Sequence, residues 1–227
     1  MSLAPWLIGL SLAALVLAVV SAAYILYDIV AYKRQMMAIM RWVWPITALY
    51  MGPLALWAYR AMGVSGMRQR DNQDKDSSGQ PFWQTVFKGT THCGGGCTLG
   101  DIIGEWTIFI AGVTLAGIAL WPEYIADFLL AYVIGIVFQY FSIAPMRGLG
   151  LTDGLIAALK ADTLSLIAFE VGLFGWMAFS SLVLFQHHLR PDSPVYWFMM
   201  QLGMIVGFAT SYPMNWWLLR TGIKEPM

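Results

Sequence analysis

The sequence predicts an all-α, polytopic membrane helix bundle of about six transmembrane helices, and three observations carry that prediction. Of 227 residues, 59% are hydrophobic and only 11% charged, with a mean hydropathy of +0.63; an ordinary soluble domain carries about 25% charge. The apolar residues fall in blocks of roughly 20, the length that crosses a hydrocarbon core about 30 Å thick. Eleven Trp and ten Tyr suit a chain whose aromatic rings gather at the headgroup level. A chain of this length buries a sizeable core, but it lacks the charge to coat one in water. A net charge of zero leaves no electrostatic footprint for a nucleic acid. Two cysteines four residues apart make no disulfide framework.

The spans follow in order, within a single membrane domain. The first helix is expected over about 5–31. Its apolar run is too long for the roughly 7–15-residue core of a signal peptide, so it reads as a retained helix. The second covers 42–62 and carries Pro45 and Pro53. Residues 64–80 form the one clearly hydrophilic stretch, a loop without periodicity. An aromatic piece, 81–88, lies at the interface, and a glycine-rich segment leads to the third helix, 99–120. Trp121-Pro122-Glu123 turns into the fourth, 124–146. Residues 148–160 read as an amphipathic helix along the membrane, followed by the fifth span, 162–186, and the sixth, 195–219. Lys and Arg set the orientation. With both termini cytoplasmic, nine lie inside and four (Lys33, Arg34, Arg41 and Arg190) outside. The first helix, with no cation before it and Lys33-Arg34 after it, points the other way. The lipid bilayer expected is the prokaryotic cytoplasmic membrane.

The sharpest chemical feature is His92-Cys93-Gly-Gly-Gly-Cys97-Thr98-Leu-Gly-Asp101-Ile-Ile-Gly-Glu105. Two thiols and an imidazole within six residues are soft and borderline ligands, suited to a Cu or Zn ion. The glycines allow a tight fold that brings both sulfurs to one ion. Cys97 precedes the expected helix, where the dipole favours thiolate. Asp101 and Glu105 follow on one face. The plainer reading is that Thr98-x-x-Asp101 is a capping box and the glycines serve helix packing.

Ionisable and amide groups within apolar spans come next. Glu170 lies mid-helix, where a charge costs at least about 2.5–3.5 kcal/mol on insertion scales; this makes it a candidate for passing an ion or a proton. Gln139, Gln201 and Asn215 extend a polar seam, or else hydrogen-bond between helices at about 0.6–2 kcal/mol each. Asp127, Asp153 and Asp162 stand near helix starts and read as caps. His187-His188 closes the fifth span. Gly112-x-x-x-Ala116 and Gly203-x-x-x-Gly207 allow close helix packing within one chain or between copies.

Several runs carry a family resemblance: VWPITALYMGPLALWAY from Val43, THCGGGCTLGDIIGEW, FQYFSIAPMRGLG, KADTLSLIAFEVGLFGWM and the terminal YWFMMQLGMIVGFATSYPMNWWLLRTGIKEPM. On these the chain resembles an uncharacterised prokaryotic integral membrane family, a domain of unknown function. The resemblance implies a membrane fold and places His92, Cys93, Cys97, Asp101, Glu105, Asp162 and Glu170 within its motifs. It implies no activity.

Three functions fit these residues. The first is a membrane metal-handling protein, a transporter of a soft or borderline ion through the His/Cys/acid cluster. The second is a structural or accessory subunit of a membrane complex, with a membrane partner or a second copy. The third is a membrane thiol or metal oxidoreductase, disfavoured because the motif is C-x-x-x-C and no nucleotide-cofactor fingerprint is present.

Overall fold

A computed structural model of the chain describes residues 4–32, 37–64, 81–115 and 120–226. Every regular element in them is helical, and no β-strand occurs among the described residues. Seven α-helices follow in order: α1 Pro5–Ala31, α2 Met40–Met51, α3 Pro53–Ala58, α4 Phe82–Ala111, α5 Leu120–Arg147, α6 Leu151–Phe179 and α7 Pro194–Arg220. π-Helical turns extend α3 over Tyr59–Val64 and α6 over Ser180–Leu184. Three stretches are long and apolar enough to cross a membrane, Pro5–Ala31, Leu120–Arg147 and Leu151–Leu184.

The expected second span, 42–62, is two short helices folded back on each other. Gly52 breaks the run at φ 53°, ψ −130°, a conformation that an L side chain rarely adopts. Beyond it the chain reverses, so that Trp44 and Tyr59 meet edge to face at 5.8 Å between centroids. Fifteen helical residues would span roughly 22 Å along one axis, so that contact requires a hairpin. Pro53 has no N–H to donate, which leaves the Leu49 carbonyl orphaned at the end of α2. The Gln201 side chain of α7 supplies the missing donor at 2.7 Å. At the open end of the hairpin, Tyr59 donates to the buried Asp28 of α1 at 2.6 Å. Gln201 is therefore a cap between helices.

The third helix is longer than expected and starts earlier. It runs over 82–111, not 99–120, and the aromatic piece at 81–88 is its first two turns. The glycine run is its middle. Gly96, Gly100 and Gly104 form a ridge of residues four apart that lies against α5. A Cβ on Gly96 would stand 2.7 Å from the Gly135 Cα, and one on Gly100 would strike the Ala131 backbone. α4 and α5 thus pack antiparallel with their backbones in contact, which a helix with side chains on that ridge could not do.

The remaining differences lie along α5 and α6. Trp121-Pro122-Glu123 is the first turn of α5. The expected surface helix 148–160 and fifth span 162–186 are one continuous helix from Leu151, so no separate element lies along the membrane. The sixth span agrees within a residue at each end, and Ser193 caps it by accepting from Val195 N. Gly203 and Gly207 both face α6, against Leu173 and the Phe169 carbonyl; that motif packs within the chain. Ala116 and the hydrophilic residues 65–80 lie outside the described residues, as do Lys33, Arg34 and residues 117–119.

The order of the helices fixes two ends. At one end Gly89 of α4, Asp162 of α6 and Asn215 of α7 meet, together with Lys224. At the other, Glu123 of α5 meets His188 in the connection after α6.

Candidate functional site

α4 carries two neighbouring ridges of residues four apart, and helical geometry keeps them distinct. His92 belongs to the first, with Gly96, Gly100 and Gly104. Its ring meets Phe138 of α5 edge to face at 6.2 Å, and it feels the charges of Asp162 and Lys224. The second ridge is Cys93, Cys97, Asp101 and Glu105. All four are buried, and over twelve residues they extend roughly 18 Å along the axis. The sequence places His92 beside Cys93; the helix turns the two about 100° apart. Both thiols are free and buried, and they lie inside the bundle, not in a loop before a helix. Thr98 donates to the Gly94 carbonyl at 2.7 Å as part of the helix interior, so the capping-box reading of Thr98 and Asp101 fails.

Neighbouring helices set acids along the second ridge. Glu170 of α6 faces the Cys97 thiol. Asp101 lies in the field of Glu170 and Glu105, and both its oxygens lack a hydrogen-bond partner among the described residues. Asp127 of α5 sits over Gly104, where a Cβ would strike its Oδ1, and it neighbours Glu105. Glu105 in turn neighbours Glu123 and the Tyr196 hydroxyl. Glu123 Oε1 is 3.1 Å from His188 Nε2. That hydrogen bond raises the His188 pKa above its ordinary 6.5.

At the opposite end, Lys224 donates to Asp162 Oδ1 at 2.9 Å and to Asn215 Oδ1 at 2.8 Å. Ser165 also donates to Asp162 Oδ1, and Asn215 donates to Ser211. A column of polar groups therefore runs from Asp162–Lys224 past Cys93, Cys97 and Glu170 to Glu123–His188. Gln139 is fully buried on α5 beside it, and neither amide atom has a hydrogen-bond partner among the described residues.

Of the expected site residues, Cys93, Cys97, Asp101, Glu105 and Glu170 converge on this column. Asn215 belongs to the Lys224 network, and Gln201 caps α2. Among the described residues, no three His, Cys, Asp or Glu side chains form a group that could hold one metal ion. Sequence reasoning missed Glu123, Asp127 and Asp162 as column members, reading the last two as caps, and missed Lys224 altogether. Local pattern carries no signal for Lys224, because in the sequence Asp162 stands at the start of the fifth span, and only the continuous helix from Leu151 places it inside the bundle.

Fold and site together define a helical membrane-type bundle with a buried acid, thiol and amide column. The chain belongs to the family described as a domain of unknown function, DUF4396, which matches residues 82–224. That span starts with α4 and reaches Lys224, so it contains both ends of the column; α1 and the α2–α3 hairpin lie before it. No curated protein and no solved structure matches the chain.

Proposed function

We propose that this protein is a membrane transporter that passes a soft or borderline metal ion, Cu or Zn, along the second ridge of α4. The observation that carries the reading is the four-residue spacing of Cys93, Cys97, Asp101 and Glu105, buried and facing Glu170, Asp127 and Glu123. A thiol pair suits Cu(I), the softest of the candidates, and the acids beyond it suit a proton or a borderline ion. Unpaired acids within a membrane bundle mark ion and proton pathways. In this reading the ligands act in successive pairs, which fits transit better than storage.

The same reading places five helices, α1 and α4–α7, across the bilayer, with the α2–α3 hairpin re-entering from one side. Irregular backbone at that depth is tolerated where protein covers it, as Gln201 does. Arg41, Arg60, Lys88, Arg147, Lys160, Arg220 and Lys224 lie at the Lys224 end, and of the described Lys and Arg only Arg190 lies at the other. The positive-inside rule puts the Lys224 end in the cytoplasm. α1 starts at the opposite end, so the two ends of the chain occupy opposite sides. Reporter fusions at both termini test this arrangement; signals from one shared compartment would restore six spans.

The transport test uses purified protein in liposomes with Cu(I) and Zn(II) outside. Wild-type protein is expected to accumulate one of them, and Glu170→Gln and the Cys93→Ser/Cys97→Ser pair are expected to lose at least tenfold of the flux. Folded wild-type protein that moves neither ion would sink the proposal.

A further inference from the structure

The chain tail fills a site in the bundle with its own cation. Beyond α7 the backbone turns at Gly222, φ 71°, and both Ile223 N and Lys224 N donate to the Leu218 carbonyl at 3.1 Å. Thr221, Gly222 and Ile223 are exposed, and Lys224 alone turns inward, with none of its side chain accessible. Its stem passes Gly89, where a Cβ would come within 3.8 Å of the Lys224 Cε. Outside, an exposed Arg147–Glu225 pair at 3.6 Å ties the tail to the end of α5.

Both groups that accept from the ammonium are oxygens, and the His92 ring lies within reach of its charge. Asp162 Oδ1 and Asn215 Oδ1 accept from the ammonium. Two hydrogen bonds from Asn215 Nδ2 to Ser211, both 3.0 Å, turn the amide oxygen inward. Ser211 in turn donates to the Ser165 carbonyl at 2.8 Å, so the pocket wall is held by groups other than Lys224. Asp162 Oδ2 is buried without a hydrogen-bond partner among the described residues and lies 3.6 Å from where a Gly135 Cβ would stand. One carboxylate among neutral oxygens balances a single positive charge. A divalent ion would be left half compensated in a medium that penalises uncompensated charge.

We infer that Asp162, Asn215 and the Ser165–Ser211 wall form a binding site for one monovalent alkali cation, and that Lys224 is its tethered occupant. Withdrawal of the tail opens the site to a free ion from the Lys224 end. As a gate on the column this rests on the transport reading; as a binding site it stands by itself. The exposed Arg147–Glu225 pair is a weak tie, since surface pairs contribute little, so the tail is held chiefly by the pocket it fills.

The test is the full-length protein in detergent with Lys224→Ala, unfolded thermally in NaCl or in choline chloride at equal ionic strength. Sodium is expected to raise the Tm of Lys224→Ala saturably, by roughly 5 °C once the site is filled, and to leave wild type unmoved. Methylammonium, which restores the missing ammonium, is expected to do the same. In Asp162→Asn/Lys224→Ala the response is expected to vanish. An equal sodium response in the single and double variants, or none in a folded Lys224→Ala protein, overturns the inference. If Lys224→Ala folds in no cation while the double variant folds, the pocket cannot hold a free ion and the inference also falls. Sodium stabilisation of Lys224→Ala by protein that moves no Cu or Zn would uphold the site and remove only the transport reading.

Discussion

Two basic side chains close the two ends of the polar column, in opposite ways. Lys224 is wholly enclosed, reaches Asp162 from the chain tail, and donates to two oxygens, one of them a carboxylate's. His188 lies in a short connection with 30% of its side chain exposed, and it meets Glu123 through one 3.1 Å contact. A buried pair is sensitive to loss of either member because the survivor is left as an uncompensated charge. At the other end only the imidazole is reached by water, while the Glu123 carboxylate that it meets is buried. The Lys224 end thus behaves as structure that a cation can replace, and the His188 end as a contact that solution pH can tune.

The largest expected effect breaks the first end. Lys224→Ala strands Asp162 and should cost about 3–5 kcal/mol in thermal or denaturant unfolding in sodium-free buffer. Asp162→Asn/Lys224→Ala should recover most of it, because no charge is then left unpaired. If the two variants are equally unstable, packing and not charge holds the tail. Second in size is Gly104→Ala, whose Cβ would displace Asp127 from α4. Overpacking of this kind should cost about 1–3 kcal/mol. Because it acts at the His188 end, it should leave the sodium response of Lys224→Ala unchanged when the two are combined; a lost response would mean that the ends are mechanically coupled.

His188→Ala should have a smaller and pH-dependent effect. The folded-state pKa of His188 is raised by its hydrogen bond to Glu123. Its contribution to stability is therefore complete below about 6.5, the unfolded value, and is lost as pH rises through the raised folded value. With the ring partly exposed, solvent screening holds the pH-dependent part of the effect below about 1 kcal/mol. The Tm difference between wild type and His188→Ala should shrink with rising pH; a difference that is flat or grows would reverse the assignment. Smallest of all is Arg147→Ala, expected to shift stability by less than about 0.5 kcal/mol. A loss comparable to that of Lys224→Ala would show that the outer tie, and not the pocket, holds the tail.

The legible parts of the sequence were those where hydropathy alone decides. α1 and α7 stand within a residue or two of their expected limits, and α1 is one of the stretches long and apolar enough to cross a membrane. α4 was misread because Gly94-Gly95-Gly96 with Thr, His and Cys beside it has the composition of a loop. In a helix bundle the same glycines are packing residues, and only the α5 backbone against Gly96 and Gly100 shows which role they have. The hairpin was hidden for the opposite reason. Residues 42–62 are apolar enough for one span, and the sequence shows Pro53 but not the carbonyl that it orphans or the glutamine, 152 residues away, that satisfies it. The acids of the column were found singly. Their alignment depends on the register of α4 against α5 and α6, which local pattern does not set.

Backbone contact is not confined to the α4–α5 seam. A Cβ on Gly172 of α6 would stand 2.9 Å from the Gly207 Cα of α7, and one on Gly207 would stand 2.7 Å from the Phe169 carbonyl. Each pair is thus locked by main chain against main chain, which leaves little room for sliding. The Cys93–Glu105 ridge belongs to the first pair; Glu170, Asp162 and Asn215 belong to the second. The column therefore lies between two helix pairs that are each held in backbone contact, and the contacts that bridge the pairs at its two ends are His188–Glu123 at one and the exposed Arg147–Glu225 pair at the other.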